Sequence, residues 1–461
     1  MNHPYQVMGT TVPKMLGRRR LIEQIERHVL KPSPDHVQIV GPTLFGKSVL
    51  LAALAARHEP GNAHYLTAIY ADLRHAPPAD DSAFRRRFAE VVKAALARVL
   101  PEVADYIDLK DSGLHELLDL SFQELEQKKA RLLVVLDGFD HVLAGSGITR
   151  TLWDQLRSLA QKSSLRLVTG SRQPLRELCK TEESRTSDLW EIFYDTPIVV
   201  GPFAQDDWDD VLAPLTTAGV SVDSSARKEL MNWSGGVPVL TAALLERLAS
   251  TVHDGQTLSK SDVDRVAAEM LERPPAHLQQ LWEDCNVELR GDLAAIGESD
   301  GIPLSDLPAP RQRALDGRGY GAPSGNRMRS ACRLMARYAP EQGPAVADLK
   351  RLFGTATDYL ANVEGFLELR VGHLASQAAD PQLLTYLRHS IRDVVGSPEM
   401  SLVAIRSLVQ RALQLIWAKE LGASRTLPDD WITEWQHGGA KARWLDGSKR
   451  VPSGDGEQMY A

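Results

Sequence analysis

The chain has 461 residues, which is enough for two to four domains with hydrophobic cores of their own. Its hydrophobic content of 43% and charged content of 25% are ordinary for a globular protein, and its net charge of −7 excludes whole-chain attraction to nucleic acid. No apolar run approaches the ~18 residues of a membrane span, and the start lacks a signal-peptide pattern. The three cysteines are isolated in the sequence. We therefore expect a cytoplasmic chain without membrane contact.

A complete phosphate-binding loop follows the first predicted strand, residues 37–40. The loop reads Gly41-Pro42-Thr43-Leu44-Phe45-Gly46-Lys47-Ser48, and the stretch that begins at Val49 is rich in good helix formers. A loop between a strand and a helix N-terminus directs backbone N–H groups and the positive end of the helix dipole at an anion. Lys47 is expected to reach the β- and γ-phosphates, and the Ser48 hydroxyl to complete the shell of a Mg²⁺ ion. The residues from Gly41 to Val49 therefore predict a site for ATP or ADP with Mg²⁺.

Four more apolar runs predict strands, and helical stretches separate them. They cover residues 63–72, 131–136, 165–169 and 197–200. Strands that alternate with helices predict a parallel sheet covered by helices on both faces.

Two acids follow the third predicted strand. Asp137 ends this strand beside the phosphate-binding loop, and we expect it to hold Mg²⁺ through water. Gly138 stands where a glutamate base often follows such an acid, so Asp140 is the next candidate to orient the attacking water. The alternative is that Asp140 caps the following helix.

The fourth predicted strand ends in Thr169-Gly170-Ser171-Arg172. A guanidinium makes bidentate, charge-assisted contacts to phosphate, so Arg172 is a candidate for the γ-phosphate. The alternative is an ordinary surface arginine.

Beyond Phe203 the strand signals stop, and the rest of the chain looks helical. Helices are predicted at 206–215 and 224–233, before a sharp turn at 234–238, and again over 275–340 with a Gly/Pro-rich insert at 316–325. In residues 345–436, a three- and four-residue spacing predicts one buried helix face, formed by Leu402, Ile405, Val409, Leu413 and Ile416. The residues after 436 are Gly- and charge-rich, and we expect a flexible tail.

At these motifs the chain resembles the additional-strand P-loop ATPases, which include AAA+ proteins. It more closely resembles the STAND signal-transduction ATPases and the origin-recognition and helicase-loader ATPases. Asp137-Gly138-Phe139-Asp140 resembles the NACHT form of the Walker B motif, and Thr169-Gly170-Ser171-Arg172 resembles the sensor of these families. Leu16-Gly17-Arg18 is similar to the box that contacts adenine, Gly236-Val237-Pro238 to the lid element, and residues 275–340 to the winged-helix domain.

The resemblance implies an α/β fold with a five-stranded parallel P-loop sheet of the AAA+ type in residues 1–202. A helical lid at 203–272, a winged-helix-like domain at 273–340, a helical C-terminal domain at 341–436 and a tail at 437–461 would follow. It adds Gly17, Arg18 and Pro238 to the nucleotide-binding residues, with Ser48 and Asp137 as metal ligands. The catalytic set would be Lys47, Asp137, Asp140 and Arg172. His141 stands where NACHT proteins usually carry a second acid, which leaves the rate of hydrolysis open.

The winged-helix candidate is strongly basic. Residues 308–338 contain seven arginines and one acid, and we expect Arg318, Arg327 and Arg329 to lie at or near a wing. Arginines there would bind the phosphates of DNA or RNA. The alternative is that they pair with acids near the nucleotide or on a neighbouring subunit.

Three functions remain open. The leading hypothesis is a slowly hydrolysing switch ATPase that changes conformation or oligomeric state to regulate a partner, as a homo-oligomer or with a separate effector. The resemblance suggests a bacterial anti-phage system for such a switch. The alternatives are a loader-type ATPase that binds DNA through the winged helix and a nucleotide-bound scaffold without hydrolysis.

Overall fold

The computed structural model describes residues 5–7, 12–31, 33, 35–59, 61–143, 147–179, 182–342 and 380–421. The chain divides into two compact units, Met1–Pro344 and Ala345–Ala461, and we consider each by itself. The predicted tail at 437–461 lies outside the described residues.

A five-stranded sheet forms the centre of the first unit. Its strands are β1 (Val37–Val40), β2 (Thr67–Asp72), β3 (Leu132–Asp137), β4 (Leu165–Ser171) and β5 (Ile198–Val199). They are all parallel and lie in the order β2-β3-β4-β1-β5. Strand β4 therefore lies between the P-loop strand β1 and the acid-bearing strand β3. This confirms the predicted parallel sheet and its additional strand.

Helices cover both faces of this sheet. They are α1 (Arg19–Val29), α2 (Lys47–His58), α3 (Asp81–Val99), α4 (Pro101–Ala104), α5 (Leu114–Gln127), α6 (Phe139–Leu143), α7 (Arg150–Ala160), α8 (Leu175–Leu178) and α9 (Glu182–Arg185). In β3, Leu133 and Val135 point into one hydrophobic cluster, and Leu132, Val134 and Leu136 into the other. Successive side chains of a strand face opposite sides, so a continuous apolar run is what a strand between two cores requires.

The residues after Phe203 form a small helical group. Its helices are α10 (Trp208–Thr217), α11 (Ser224–Ser234), α12 (Pro238–Thr251) and α13 (Lys260–Glu272). Two short parallel strands, β6 (Ser221–Val222) and β7 (Thr257–Leu258), join this group. The expectation that strand signals end at Phe203 is therefore wrong. Two-residue strands are too short to produce a hydrophobic period.

Helices and a small antiparallel sheet follow. The helices are α14 (Ala276–Glu283), α15 (Val287–Glu298), α16 (Ala309–Gly317) and α17 (Arg333–Tyr338). The strands are β8 (Ile302–Pro303), β9 (Gly321–Ser324) and β10 (Arg327–Ser330), in the order β8-β10-β9. The Gly/Pro-rich insert is thus partly a strand, because pairing with β10 outweighs the low β-propensity of Gly-Ala-Pro-Ser. Helices followed by a β9–β10 hairpin give this region the order expected of a winged helix.

Two glycines bring the helical group and the winged-helix-like region into direct contact. Gly235 and Gly319 both have positive φ, +61° and +65°. A Cβ at Gly235 would lie 2.1 Å from the Gly319 carbonyl oxygen, and one at Gly319 would lie 2.4 Å from the Gly235 oxygen. The Cys332 thiol also donates to the Trp233 carbonyl at 3.3 Å. Only glycine fits at this backbone-to-backbone contact.

The described part of the second unit consists of two helices, α18 (Pro381–Gly396) and α19 (Pro398–Leu421). They pack through small side chains, and the Ser401 hydroxyl donates to the Ser390 carbonyl at 2.5 Å. Leu402 is 67% exposed, and Ile405 and Ile416 are exposed too, so the buried face predicted for them is wrong. Ser401 and Ala404 form the buried stripe instead, because small residues let two helices approach closely. None of the described helices combines the length and apolar content that a bilayer span requires.

Candidate nucleotide-binding site

The P-loop lies at the carboxyl end of β1, next to β4 and β5. The Gly41 N–H donates to the Ser171 carbonyl at 3.2 Å, and a Cβ at Gly41 would lie 2.5 Å from the Val200 oxygen. Leu44 and Gly46 have φ of +66° and +82°, and these left-handed conformations direct the end of the loop toward the start of α2. The first N–H groups of a helix have no partner within the helix, so they are available to an anion.

Lys47 is held inside this loop. Its Nζ donates to the carbonyls of Gly41 and Pro42 at 2.7 and 2.8 Å. Burial lowers the pKa of Lys47 to about 8, and the opposing attraction comes from Asp137, Asp140 and Asp284. Three carboxylates therefore act electrostatically on this one lysine.

The carboxylate of Asp137 is almost completely enclosed at the end of β3, with 1% of the residue exposed. Its Oδ2 accepts a hydrogen bond from the Tyr70 hydroxyl at 2.8 Å and lies 3.4 Å from Arg74 Nη2. Sequence reasoning missed both partners. The end of the second predicted strand, residues 70–74, could have identified them. This strand, β2, pairs with β3, and the carboxyl ends of parallel strands meet at one edge of the sheet.

Asp140 and Arg172 form an ion pair. Arg172 Nε donates to Asp140 Oδ2 at 2.6 Å, and the carboxylate is buried while the arginine side chain is 52% exposed. Asp140 lies inside the first turn of α6, after Phe139, and does not take the cap position. The structure therefore pairs Asp140, expected to orient the attacking water, with Arg172, expected to contact the γ-phosphate.

The third carboxylate comes from the winged-helix-like region. Asp284 follows α14 directly, and its carboxylate accepts hydrogen bonds from the Thr43 N–H at 3.3 Å and from the Thr43 hydroxyl. Arg318 Nη1 lies 2.7 Å from Asp284 Oδ2. Burial opposes ionisation, but hydrogen bonds from Thr43 and Arg318 lower the pKa of Asp284 below its usual value. Arg318, which lies between α16 and β9 beside the hairpin, thus pairs with the carboxylate that bonds to the P-loop.

The residues present fit a magnesium–nucleotide complex. Mg²⁺ usually takes one or two protein carboxylates and completes its shell with phosphate oxygens and water. Asp137 and the Ser48 hydroxyl at the start of α2 would supply such a donor set, while Lys47 and the N-terminus of α2 would supply positive potential for phosphate. Among the described residues no cluster of three His, Cys, Asp or Glu side chains could hold a metal without such outside ligands.

The residues predicted for the adenine side also lie together. Arg18 donates to the carbonyls of Gly201 and Pro202 at 2.6 and 2.9 Å, and its guanidinium lies 4.6 Å from the centre of the Phe203 ring. The Phe203 N–H donates to the Gly236 carbonyl at 2.7 Å, two residues before Pro238 begins α12. Gly17 packs on Asp207, since a Cβ there would lie 2.8 Å from Asp207 Cβ. The Arg18 side chain is thus used to join these segments, and nucleotide contact by Gly17, Arg18 and Pro238 remains a prediction.

The other basic candidates lie on the β9–β10 hairpin. Arg327 Nε donates to the Asp300 carbonyl at 3.1 Å, and the half-exposed Arg329 pairs with the Asp300 carboxylate at 2.9 Å. The remaining arginines include Arg311, paired with the buried Asp292, and Arg333, paired with Glu229. Contact of the hairpin with DNA remains a prediction.

No protein-family model and no curated protein matches the chain. Solved structures that resemble it include a Walker-type ATPase of Pyrococcus abyssi, at 14% identity over 72% of this chain and 99% of that chain, with a TM-score of 0.46. The ORC2 protein of Aeropyrum pernix matches at 14% identity over 73% and 95%, with a TM-score of 0.46. The RuvB branch migration motor of Thermotoga maritima matches at 12% identity over 69% and 95%, with a TM-score of 0.37.

The P-loop fold of the present chain follows from its own strand order, β2-β3-β4-β1-β5, and from the loop between β1 and α2.

Proposed function

We propose that the chain is a switch ATPase that binds ATP or ADP with Mg²⁺ at Gly41 to Ser48 and hydrolyses ATP slowly. Nucleotide would change its conformation or oligomeric state and so regulate a partner. The observation that carries this proposal is the contact of Asp284 with Thr43. Through it, a residue of the winged-helix-like region bonds to the loop expected to hold phosphate.

This contact supports a switch because a carboxylate and a phosphate are both anions. Two unit charges 4 Å apart repel by about 4 kcal/mol at the effective dielectric of a protein surface. A triphosphate in the loop would therefore weaken the Asp284–Thr43 contact or draw Arg318 away from Asp284. Moving a population from about 1:99 to 99:1 requires a preference of about 5.5 kcal/mol, so a few such contacts suffice.

The proposal is tested on the purified full chain by small-angle scattering and light scattering without nucleotide, with Mg²⁺–ADP and with Mg²⁺–ATP. We expect a nucleotide-dependent change of shape or mass, which Lys47→Ala abolishes. Asp284→Ala should shift the nucleotide-free chain toward the changed state. Asp300→Asn breaks an ion pair of 2.9 Å in the same region away from the P-loop, and it should behave like the parent chain.

If added nucleotide changes neither shape nor mass, in the parent chain and in Asp284→Ala alike, the switch is refuted. Nucleotide binding without any such change would instead favour the scaffold. The defence role suggested by the resemblance remains a prediction, which the identity of the neighbouring genes would test.

A further inference from the structure

The end of β2 places an arginine on the carboxylate expected to hold the metal. Arg74 Nη2 lies 3.4 Å from Asp137 Oδ2, the oxygen that also accepts the Tyr70 hydrogen bond. Asp137 is enclosed, and a buried carboxylate requires a compensating positive charge or hydrogen bonds. Arg74 supplies a positive charge in direct contact.

The position of Arg74 is fixed from its other side by Asp72. Nε donates to Asp72 Oδ1 at 2.9 Å, and Nη2 donates to Oδ2 at 2.6 Å. The Arg74 backbone N–H donates to Asp72 Oδ1 as well, at 2.9 Å. A two-point contact between a guanidinium and a carboxylate fixes direction as well as distance. Arg74 can therefore lose its longer contact to Asp137 and still remain attached.

Gly138 provides the space for Arg74. Its φ is +72°, and a Cβ there would lie 2.2 Å from Arg74 Cγ and 3.1 Å from Arg74 Cδ. A larger residue after Asp137, including the glutamate that often follows such an acid, would displace the arginine stem. The glycine after the metal-site acid and the arginine beside that acid are therefore one structural arrangement.

We propose that Arg74 is a positioning residue that neutralises Asp137 and competes with Mg²⁺ for this carboxylate. It thereby sets the Mg²⁺ concentration at which nucleotide binds. Since Asp137 Oδ2 touches Arg74, a divalent ion on Asp137 would be repelled by the guanidinium. This inference rests on the proposed nucleotide site at Gly41 to Ser48.

The test is a titration of the full chain with a fluorescent ADP analogue at graded Mg²⁺ concentrations. Arg74→Gln keeps most of the aliphatic stem and removes the charge. We expect the Mg²⁺ concentration for half-maximal nucleotide binding to fall by about two- to fivefold, the range for one partly exposed ion pair. Arg74→Lys, which keeps a charge without the two-point contact, should give a smaller fall.

Gly138→Ala is an independent second variant, because its Cβ would push the Arg74 stem away without removing it. It should shift the Mg²⁺ requirement in the same direction as Arg74→Gln. Arg98→Gln is the matched control, since Arg98 forms an exposed 2.9 Å ion pair with Glu59 in the same unit. Melting temperatures measured alongside show which variants fold.

An unchanged or raised Mg²⁺ requirement in Arg74→Gln would overturn the inference. Loss of nucleotide binding at every Mg²⁺ concentration, with normal melting, would also overturn it, because Arg74 would then bind nucleotide directly. If Arg74→Gln does not fold, Gly138→Ala and Arg74→Lys decide by the same criterion. The readout is binding and not shape, so a chain that binds nucleotide without switching would fail the proposed function and leave this result intact.

Discussion

Asp140 and Arg172 form an ion pair with each other, in which Arg172 Nε lies 2.6 Å from Asp140 Oδ2. Each was expected to act separately, one on the attacking water and one on the γ-phosphate. While the pair is closed, the carboxylate is neutralised and a water next to it is poorly activated. The pair therefore fits the slow turnover that we propose, in which the ion pair would open before hydrolysis.

Asp140→Asn should reduce ATP turnover by about 10²-fold or more, the range for removing a general base, and should not weaken nucleotide binding, because it removes an anion that acts on Lys47. Steady-state phosphate release and an equilibrium binding assay measure the two quantities. Asp154→Asn is the control, because Asp154 forms an exposed helical ion pair with Arg150. Equal turnover in Asp140→Asn and the parent chain would remove Asp140 from the catalytic set.

Asp284 and Arg318 should affect nucleotide affinity in opposite directions. Asp284→Ala removes an anion from the Thr43 N–H, so we expect ADP to bind several-fold more tightly. Arg318→Ala leaves Asp284 without its cation, so ADP should bind more weakly. The double variant should bind nearly as the parent chain does. Isothermal titration calorimetry measures all four, and shifts of the same sign in both single variants would contradict the electrostatic explanation.

His36 should make the fold sensitive to acid. Its Nδ1 accepts the Leu167 N–H at 2.9 Å, and its Nε2 lies 2.9 Å from the Ala160 carbonyl, so the neutral ring satisfies both bonds. Burial, and secondarily the nearby Arg166, lowers the pKa of His36 to about 4. Protonation would place a second N–H against the Leu167 N–H.

The direction of the effect follows from proton binding in the two states. Between pH ~6.5 and ~4 the unfolded chain binds a proton at His36 and the folded chain does not, so the free energy of unfolding falls as pH is lowered through this window. The loss is about 3 kcal/mol when complete. Burial also lowers the pKa of His277 to about 4, so His277 should add to this loss of stability.

Urea unfolding at pH 7.5 and pH 5 measures this effect. His36→Gln should be less stable at pH 7.5, because it does not reproduce both ring hydrogen bonds, but it should lose less stability on acidification. His253→Gln, at an exposed position, is the control. A pH dependence of His36→Gln equal to that of the parent chain would contradict the assignment.

Binding of DNA by the β9–β10 hairpin predicts a specific salt dependence. Replacing Arg327 and Arg329 together with alanine should lower the slope of log K against log salt by about two, since each lost phosphate contact accounts for about 0.9. Arg318→Ala should leave the slope unchanged, because Arg318 lies against Asp284. Fluorescence anisotropy with duplex DNA at roughly 50–200 mM salt, where the electrostatic contribution is large, measures this slope. A chain that does not bind duplex at low salt would reject the loader hypothesis.

The sheet could be predicted from sequence because its strands lie between two cores. A run such as Leu132 to Leu136 has no polar interruption, and the helices between the runs determine that the strands are parallel. The P-loop could be predicted because its residues are contiguous and each has a mechanical role.

The charge partners in the site are distant in sequence, and only the neighbouring ends of β2 and β3 pointed to one of them, Arg74. Asp284 is 241 residues from Thr43, and Arg74 is 63 residues before Asp137. Pairing of that kind follows from strand order and domain packing, which local patterns do not encode. The same limit applies to α19, where spacing identified an apolar stripe but not the small-residue stripe at Ser401 and Ala404 that the neighbouring helix covers.

The paired glycines Gly235 and Gly319 provide a mechanical means of control. A Cβ added to either glycine would lie only 2.1 to 2.4 Å from the carbonyl oxygen of the other. Even one methyl group there would therefore push the helical group and the winged-helix-like region apart. Such a wedge would separate them without altering a single charge in the site. A conformational change produced by steric force could then be compared directly with one produced by phosphate.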